Sequence, residues 1–376
     1  MAQLLHTEHV VSTEVSHQLE QWHLNNPEAG ILALVAEKDQ ASIPDLQSLC
    51  QGIGLPLVGA VFPEIHNNGQ FFRSGALLIL LDPMADYAQL IELAQTEEAQ
   101  TAQVAAAADA IRSLLIPDQS TTLLMLFDAL VPNIGTLLES FYLQLAESVH
   151  YAGANAGSET FQPMPCLFDD QRLIGNGLLL LLLRPQAGAV LEHGYQVPDQ
   201  LIVATSTEGN RIISIGWQPA FDVYREHIQS LYGIEVTREN FYDYAVHFPF
   251  GILRADEEVL VRIPVALESD GSLFCVGEVP EHVVLTLLEA PQGDALQTDR
   301  LLASRLGGQQ PSVLTFYCAG RRMHLGESQA AEELQHLQTH LNATQLYGAL
   351  SLGEIGSSQR GGYPLFHNAT LVCMKF

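Results

Sequence analysis

An α/β protein of two packed domains, with mixed β-sheets flanked by helices, is predicted by three observations. Short, wholly apolar runs alternate with amphipathic helical stretches, the pattern of buried strands and the helices that cover them. A β-α-β-loop-β pattern recurs three times along the chain. Long, unlike segments separate the copies, which marks them as duplicated building blocks and not as a solenoid.

The 376 residues are enough for two domains with large cores. With 47% hydrophobic and 16% charged residues, the chain is globular and not disordered. Acidic residues number 43 against 16 basic, a formal charge of -27. Such a surface repels phosphate backbones and anionic membranes, so neither nucleic acid nor membrane is expected as a partner. The charge forms no acidic tail and reads as a solubility device. The leucine run at 178–183 has six residues and stops at Arg184-Pro185, too short to span a bilayer. No basic stretch followed by an apolar one opens the chain, so no secretory signal and a cytoplasmic location are expected. Five cysteines without a CxxC pair suit reduced thiols.

Taken in order, residues 1–29 form a polar lead-in with one amphipathic helix at 13–24. His6, His9, His17 and His23 there lack a ligand spacing and read as a solvated face. The first unit has a strand at 30–37, the helix IPDLQSLCQGI, the strand LPLVGAV, the loop Pro63-Glu64-Ile65 and a closing strand at 74–81. Asn68-Gly69 supplies the positive φ of a tight turn. Residues 84–115, rich in Ala, Gln and Glu, read as one or two long helices. The second unit has the strand TTLLMLFDAL, the helix NIGTLLESFYLQLAESV, the strand HYAGA, a loop ending in Glu159, and IGNGLLLLLL.

A Gly/Pro-rich connection then leads to the strand LIVATSTE, a turn at Glu208-Gly209-Asn210, the strand RIISI and a helix that stops at Gly233. A second helix, RENFYDYAVHF, is expected to be capped by Thr237. Three strands follow: EVLVRIPVAL, SLFCVGEV and VVLTLLEA. The helix ALQTDRLLASRLGG returns the chain to the third unit. That unit has the strand SVLTFYCAG and a helix with Ala331, Leu334, Leu337 and Leu341 at helical spacing. The strand QLYGAL, the loop Gly353-Glu354-Ile355-Gly356, a Gly-Gly turn and one final strand complete it. The main boundary is placed near Ile215, which divides the chain after the lead-in into 30–215 and 216–376.

In each unit a glycine on the second strand precedes a carboxylate by five or six residues: Gly59 to Glu64, Gly153 to Glu159, Gly348 to Glu354. The three carboxylates are therefore expected to converge on a shared hollow.

The stretches YAGANAGSE (151–159), EGNRIISIGWQPAFDVYREHI (208–228), LTFYCAGRR (314–322) and YGALSLGEIG with FHNATL (347–356 and 366–371) resemble those of FIST-domain proteins, which have an N-terminal and a C-terminal part. Together they span nearly the whole chain from residue 30. The strand end Cys-Ala-Gly-Arg and the Gly-Glu-Ile loop are the most specific. The chain departs from the family at GAVFPEI, where a small, hydroxyl-rich loop is commoner, and at VPEH, where His282 replaces a usual glycine. The resemblance implies FIST N-type and FIST C-type domains and an intracellular small-ligand sensor without catalysis. Its output would be a partner histidine kinase or cyclic-di-GMP enzyme. The ligands it implies are amino-acid-like metabolites or, in one branch, haem with nitric oxide as the signal.

Cys318, Arg321 and Arg322 stand where a strand ends and a helix begins, the edge of an open α/β sheet at which ligands sit. Arginine forks suit a carboxylate; the alternative is a core cysteine with surface arginines. A Cys318 nucleophile is conceivable, with His324 nearby, but no partner motif completes a thiol enzyme. Glu64, Glu159 and Glu354 could do acid–base work or hold an amine, or each could cap a Gly-rich turn. Asn368 could present its amide to a ligand or stitch the sheet. Haem needs one axial histidine in apolar surroundings. His193, His247, His282 and His367 are the candidates, at most one of them correct, and each is otherwise a core residue. Neither CxxCH nor a zinc-ligand spacing occurs. The expected function is thus a sensor that binds haem. A carboxylate metabolite held by Arg321 and the loop glutamates is the second reading, and Cys318-dependent catalysis the third. A homodimer stays open.

Overall fold

All three units form as βαβ blocks with a closing antiparallel strand. The parallel pairs are Gly30–Ala36 with Leu57–Phe62, Thr122–Asp128 with His150–Ala156, and Ser312–Cys318 with Gln345–Ser351. The closing strands Ala76–Leu81, Gly177–Leu183 and Leu371–Lys375 pair antiparallel with the first strand of their own unit. These nine strands are buried almost end to end, as their apolar runs require. The helices Ile43–Ile53, Ile134–Leu145 and Glu327–His340 connect the parallel strands. On the last of these Ala330, not Ala331, joins Leu334 and Leu337 in the core. The computed structural model describes residues 3–184, 188–254, 258–289, 297–307, 311–357 and 362–376.

Each unit also sends a hairpin into a neighbour's sheet. The first unit's hairpin, Ile65–Asn67 with Gln70–Phe72, pairs with Gln345–Ser351 of the third. The second unit's, Leu167–Asp169 with Leu173–Ile174, pairs with Leu57–Phe62 of the first. The third unit's, Glu354–Gly356 with Leu365–His367, pairs with His150–Ala156 of the second. The exchange closes into a ring of three. It also explains the recurring glycine, because His66 lies opposite Gly348, Phe168 opposite Gly59 and Ile355 opposite Gly153. A Cβ at any of the three would overlap the carbonyl oxygen of its parallel-strand partner, Thr315, Ala33 or Met125. A backbone atom cannot move aside as a side-chain tip can. Gly153→Ala is accordingly expected to cost about 3 kcal/mol in denaturant unfolding.

Three expectations need correction. The final strand is two, Leu365–His367 and Leu371–Lys375, because Ala369 takes a left-handed φ of 56° between them. Residues 88–92 are an edge strand paired with the leucine run, and only Glu97–Leu114 is helical. The strand Phe250–Leu253 was not expected, and EVLVRIPVAL breaks into Val259–Arg262 and Pro264–Leu267. The Gly-Gly turn before the last strands lies partly outside the described residues. The lead-in helix is Thr13–Asn25, N-capped by Ser12, and Leu4–Thr7 adds an edge strand to the first sheet.

The middle block is an antiparallel sheet that shares a core with the helices Ala220–Tyr232 and Phe241–Ala245. Asn240 precedes the shorter of these, and its side-chain oxygen accepts the Thr237 N–H in the turn before it. Ala189–Glu192, from the N-terminal domain, pairs with Leu371–Lys375. Together with the hairpins it ties the two domains through shared sheets.

Candidate functional site

Cys318 ends its strand, and Ala319–Leu325 turns at once into a short helix. The segment at 263–265 and the helix Phe241–Ala245 pack over this sheet end, and Glu159 and Phe161 reach it from the second unit. Between them lies a cavity of ≈ 270 Å³. Its wall is largely apolar, with Val246, Ile263, Val265, Val276 and Leu352. The polar groups that line it are Cys318, Asn368 and Glu159. Tyr242 and Met323, each 58% exposed, also border it. The volume is below the ~300–1,000 Å³ of sites for drug-sized molecules and suits a compact ligand.

Arg322 stands just outside. Its guanidinium lies 2.6 Å from a Glu64 oxygen and 3.4 Å from one of Glu159, over the ring of Phe71. Glu64 also accepts from Arg73 Nε at 3.2 Å. These groups line an outer cleft with Glu37 and Lys38, and Glu159 faces both cleft and cavity. Arg322 and Glu64 are buried, so this charge cluster is screened less than a surface pair.

Arg321 has a different position from the expected one. Its five N–H groups are all taken: two by the Glu333 carboxylate at 2.9 and 2.7 Å, and the others by Thr298 Oγ1, the His193 carbonyl and the Ala369 carbonyl. Tyr317 OH donates to the same carboxylate at 2.7 Å. Burial alone would lower the Arg321 pKa, but Glu333 outweighs it and raises the value. Arg321 is thus a structural anchor without a free donor for a ligand.

The three glutamates do not converge. Glu64 and Glu159 meet at Arg322, whereas Glu354 is fully buried behind the strand end. Ser351 Oγ at 2.6 Å and Thr370 Oγ1 at 2.7 Å donate to its carboxylate, and so does the Thr370 N–H at 3.3 Å. Burial raises its pKa to about 7. The residue counts hid a change of register. Glu354 is the residue before Ile355, the hairpin residue opposite Gly153, whereas Glu64 lies two before His66. Ser351 and Thr370 were missed for the same reason: their roles appear only once the units are aligned by pairing.

Asn368 accepts the Ile263 N–H and donates to the His367 carbonyl. The Cys318 sulfur accepts the Ala369 N–H at 3.0 Å, while burial and then Glu354 push its thiol pKa up.

None of the four candidate histidines lines the cavity or the outer cleft. His247 shares a hydrogen bond with His324, His193 Nδ1 accepts the Tyr195 N–H, and His282 is exposed at a left-handed turn. His367 is buried with neither ring nitrogen hydrogen-bonded, and burial followed by His193 holds its pKa well below 6.5. Among the described residues, no cavity wall includes one of these four rings. Among the described residues, no group of three or more His, Cys, Asp or Glu is placed to hold a metal ion, and no helix is long and apolar enough to cross a membrane.

An apolar hollow with a charged rim, set at the ends of duplicated α/β units, defines a small-ligand-binding protein. The FIST N domain profile matches residues 31–218 and the FIST C domain profile residues 220–357, so the chain belongs to the FIST-domain family. FIST domains are small-ligand sensing domains of signal transduction. No curated protein matches the chain.

Proposed function

We propose that the protein senses a compact molecule carrying a carboxylate, which enters the cavity and takes the place of Glu159 on Arg322. The observation that carries this reading is the Arg322 cluster. It is a buried cation at the cavity rim, held on one side tightly by Glu64 and on the other by the longer Glu159 contact. A planar guanidinium binds carboxylates through paired hydrogen bonds, and the Glu159 side is the one a ligand can displace. Release of Glu159 frees a second-unit loop from a third-unit helix, the movement a separate histidine kinase or cyclic-di-GMP enzyme would read. Haem has less support because no candidate histidine faces the hollow.

A thermal-shift screen of small carboxylates, amino acids included, tests the reading. A hit is expected to lose affinity by about 10–100-fold in Arg322→Ala, the scale of a lost charged hydrogen bond. A hit that binds the variant as well as the wild type sinks it. A Soret band after incubation with haemin, lost in a His→Ala variant at one of the four positions, would return the choice to haem.

A further inference from the structure

The three units can be compared position by position through their strand registers. Cys318, Ser351, Glu354 and Thr370 form one corner of the third unit. The same places hold Ala36, Phe62, Ile65 and Gly75 in the first unit, and Asp128, Ala156, Leu167 and Gly177 in the second. Only in the third unit are all four polar, and of these twelve residues Cys318 alone lines the cavity of the candidate site, with Ser351, Glu354 and Thr370 behind it.

The second unit shows what the Cys318 position is shaped to hold. There the Asp128 carboxylate accepts the Asn176 N–H at 2.6 Å. The equivalent N–H in the third unit is that of Ala369, and the Cys318 sulfur accepts it at 3.0 Å. A sulfur thus occupies the seat of an anion. Beside it, Glu354 is fully buried, and among the described residues no arginine or lysine meets its carboxylate. The Ala369 and Thr370 N–H groups, adjacent in the chain, go to the sulfur and the carboxylate in turn. Consecutive N–H groups of one turn thereby hold the sulfur and the carboxylate side by side.

We propose that Cys318 and Glu354 are a nucleophile and its base, and that they capture a small α,β-unsaturated carbonyl compound in the cavity as a covalent adduct. The Cys318 S–H bond breaks as its proton passes to a Glu354 oxygen, and the sulfur pair forms an S–C bond at the β-carbon. The C=C π pair shifts toward the carbonyl oxygen, and the proton on Glu354 returns through the enolate to the α-carbon. The step is a net addition and needs no oxidant or reductant. Asn368 uses one amide N–H on the His367 carbonyl and has a second for the ligand's carbonyl oxygen. Burial keeps the free thiol protonated, so the proton has to leave as the new bond forms, and an adjacent base makes that feasible. Among the described residues, the titratable groups around Glu354 are Cys318, His367 opposite it in the ladder, and Tyr195 near the thiol. This inference rests on the cavity floor and not on the Arg322 rim, so it stands or falls apart from the carboxylate reading.

The test treats the full-length protein with uncharged N-ethylmaleimide under native conditions and locates the alkylated residues by peptide mapping. Cys318 is expected to react about tenfold or more ahead of Cys50, Cys166, Cys275 and Cys373, which are all buried and do not line the cavity. Glu354→Gln is expected to slow Cys318 about 100-fold and to remove the rise in rate near pH 7. Ser351→Ala is a second variant, which takes away one donor to the ionised carboxylate and is expected to move that rise to higher pH. Equal reaction at all five cysteines, reaction only on unfolding, or an unchanged pH profile in both variants would overturn the proposal. Failure of every carboxylate in the thermal screen would leave it untouched.

Discussion

Arg321→Ala is expected to lower the unfolding free energy by about 3–5 kcal/mol, the scale for one partner lost from a buried ion pair. The reason is the partner left behind. Glu333 would keep its charge in a buried site with Tyr317 OH as its remaining donor, and the carbonyls of His193 and Ala369 would lose theirs. Equilibrium urea unfolding measures the loss. The double variant Arg321→Met/Glu333→Leu is expected to recover most of it, since no unpaired charge remains. A loss below about 1 kcal/mol in the single variant would remove the structural role assigned to Arg321.

Glu354 makes the second large prediction, on pH. Its folded-state pKa, about 7, lies above the ordinary 4.5 because of burial, so the native protein holds this proton more tightly than the unfolded chain. The contribution is fully present below about pH 4.5 and is lost as pH rises through 7. At 1.36 kcal/mol per pH unit it amounts to about 3 kcal/mol. His66 and His367, whose pKa values are lowered by burial, act in the opposite direction. Their effect cancels largely when wild type is compared with Glu354→Gln. Chemical unfolding of both between pH 5 and 8 is expected to show the wild type losing stability relative to the variant. Parallel curves would mean that Glu354 titrates normally.

The units were legible because each strand is apolar on both faces and each helix has a clear period. The hairpin exchange was not. His66 and Phe168 read as ordinary hairpin residues, and nothing local tells a strand which sheet it will join. The same limit hid the site. Arg322 and Arg321 are neighbours in sequence, but a helical step of about 100° turns one to the cavity rim and the other into the core. Glu159 and Glu354 share a spacing from the strand glycine but not a place relative to the hairpin pairing, and it is Glu159 and Glu64 that meet at Arg322. Residues 88–92 misled because Ala, Gln and Glu favour helix, a weak preference that pairing with the leucine strand overrides.

The ring of borrowed hairpins also limits how the molecule can be taken apart. Cutting between the FIST N and FIST C matches would strip the cover from His150–Ala156 on one fragment and from Gln345–Ser351 on the other. Each piece would then present a row of unsatisfied peptide groups, and such rows recruit other chains. Evolution can graft this receptor onto different outputs only as an indivisible block, with new segments attached at its ends and not spliced into its seam.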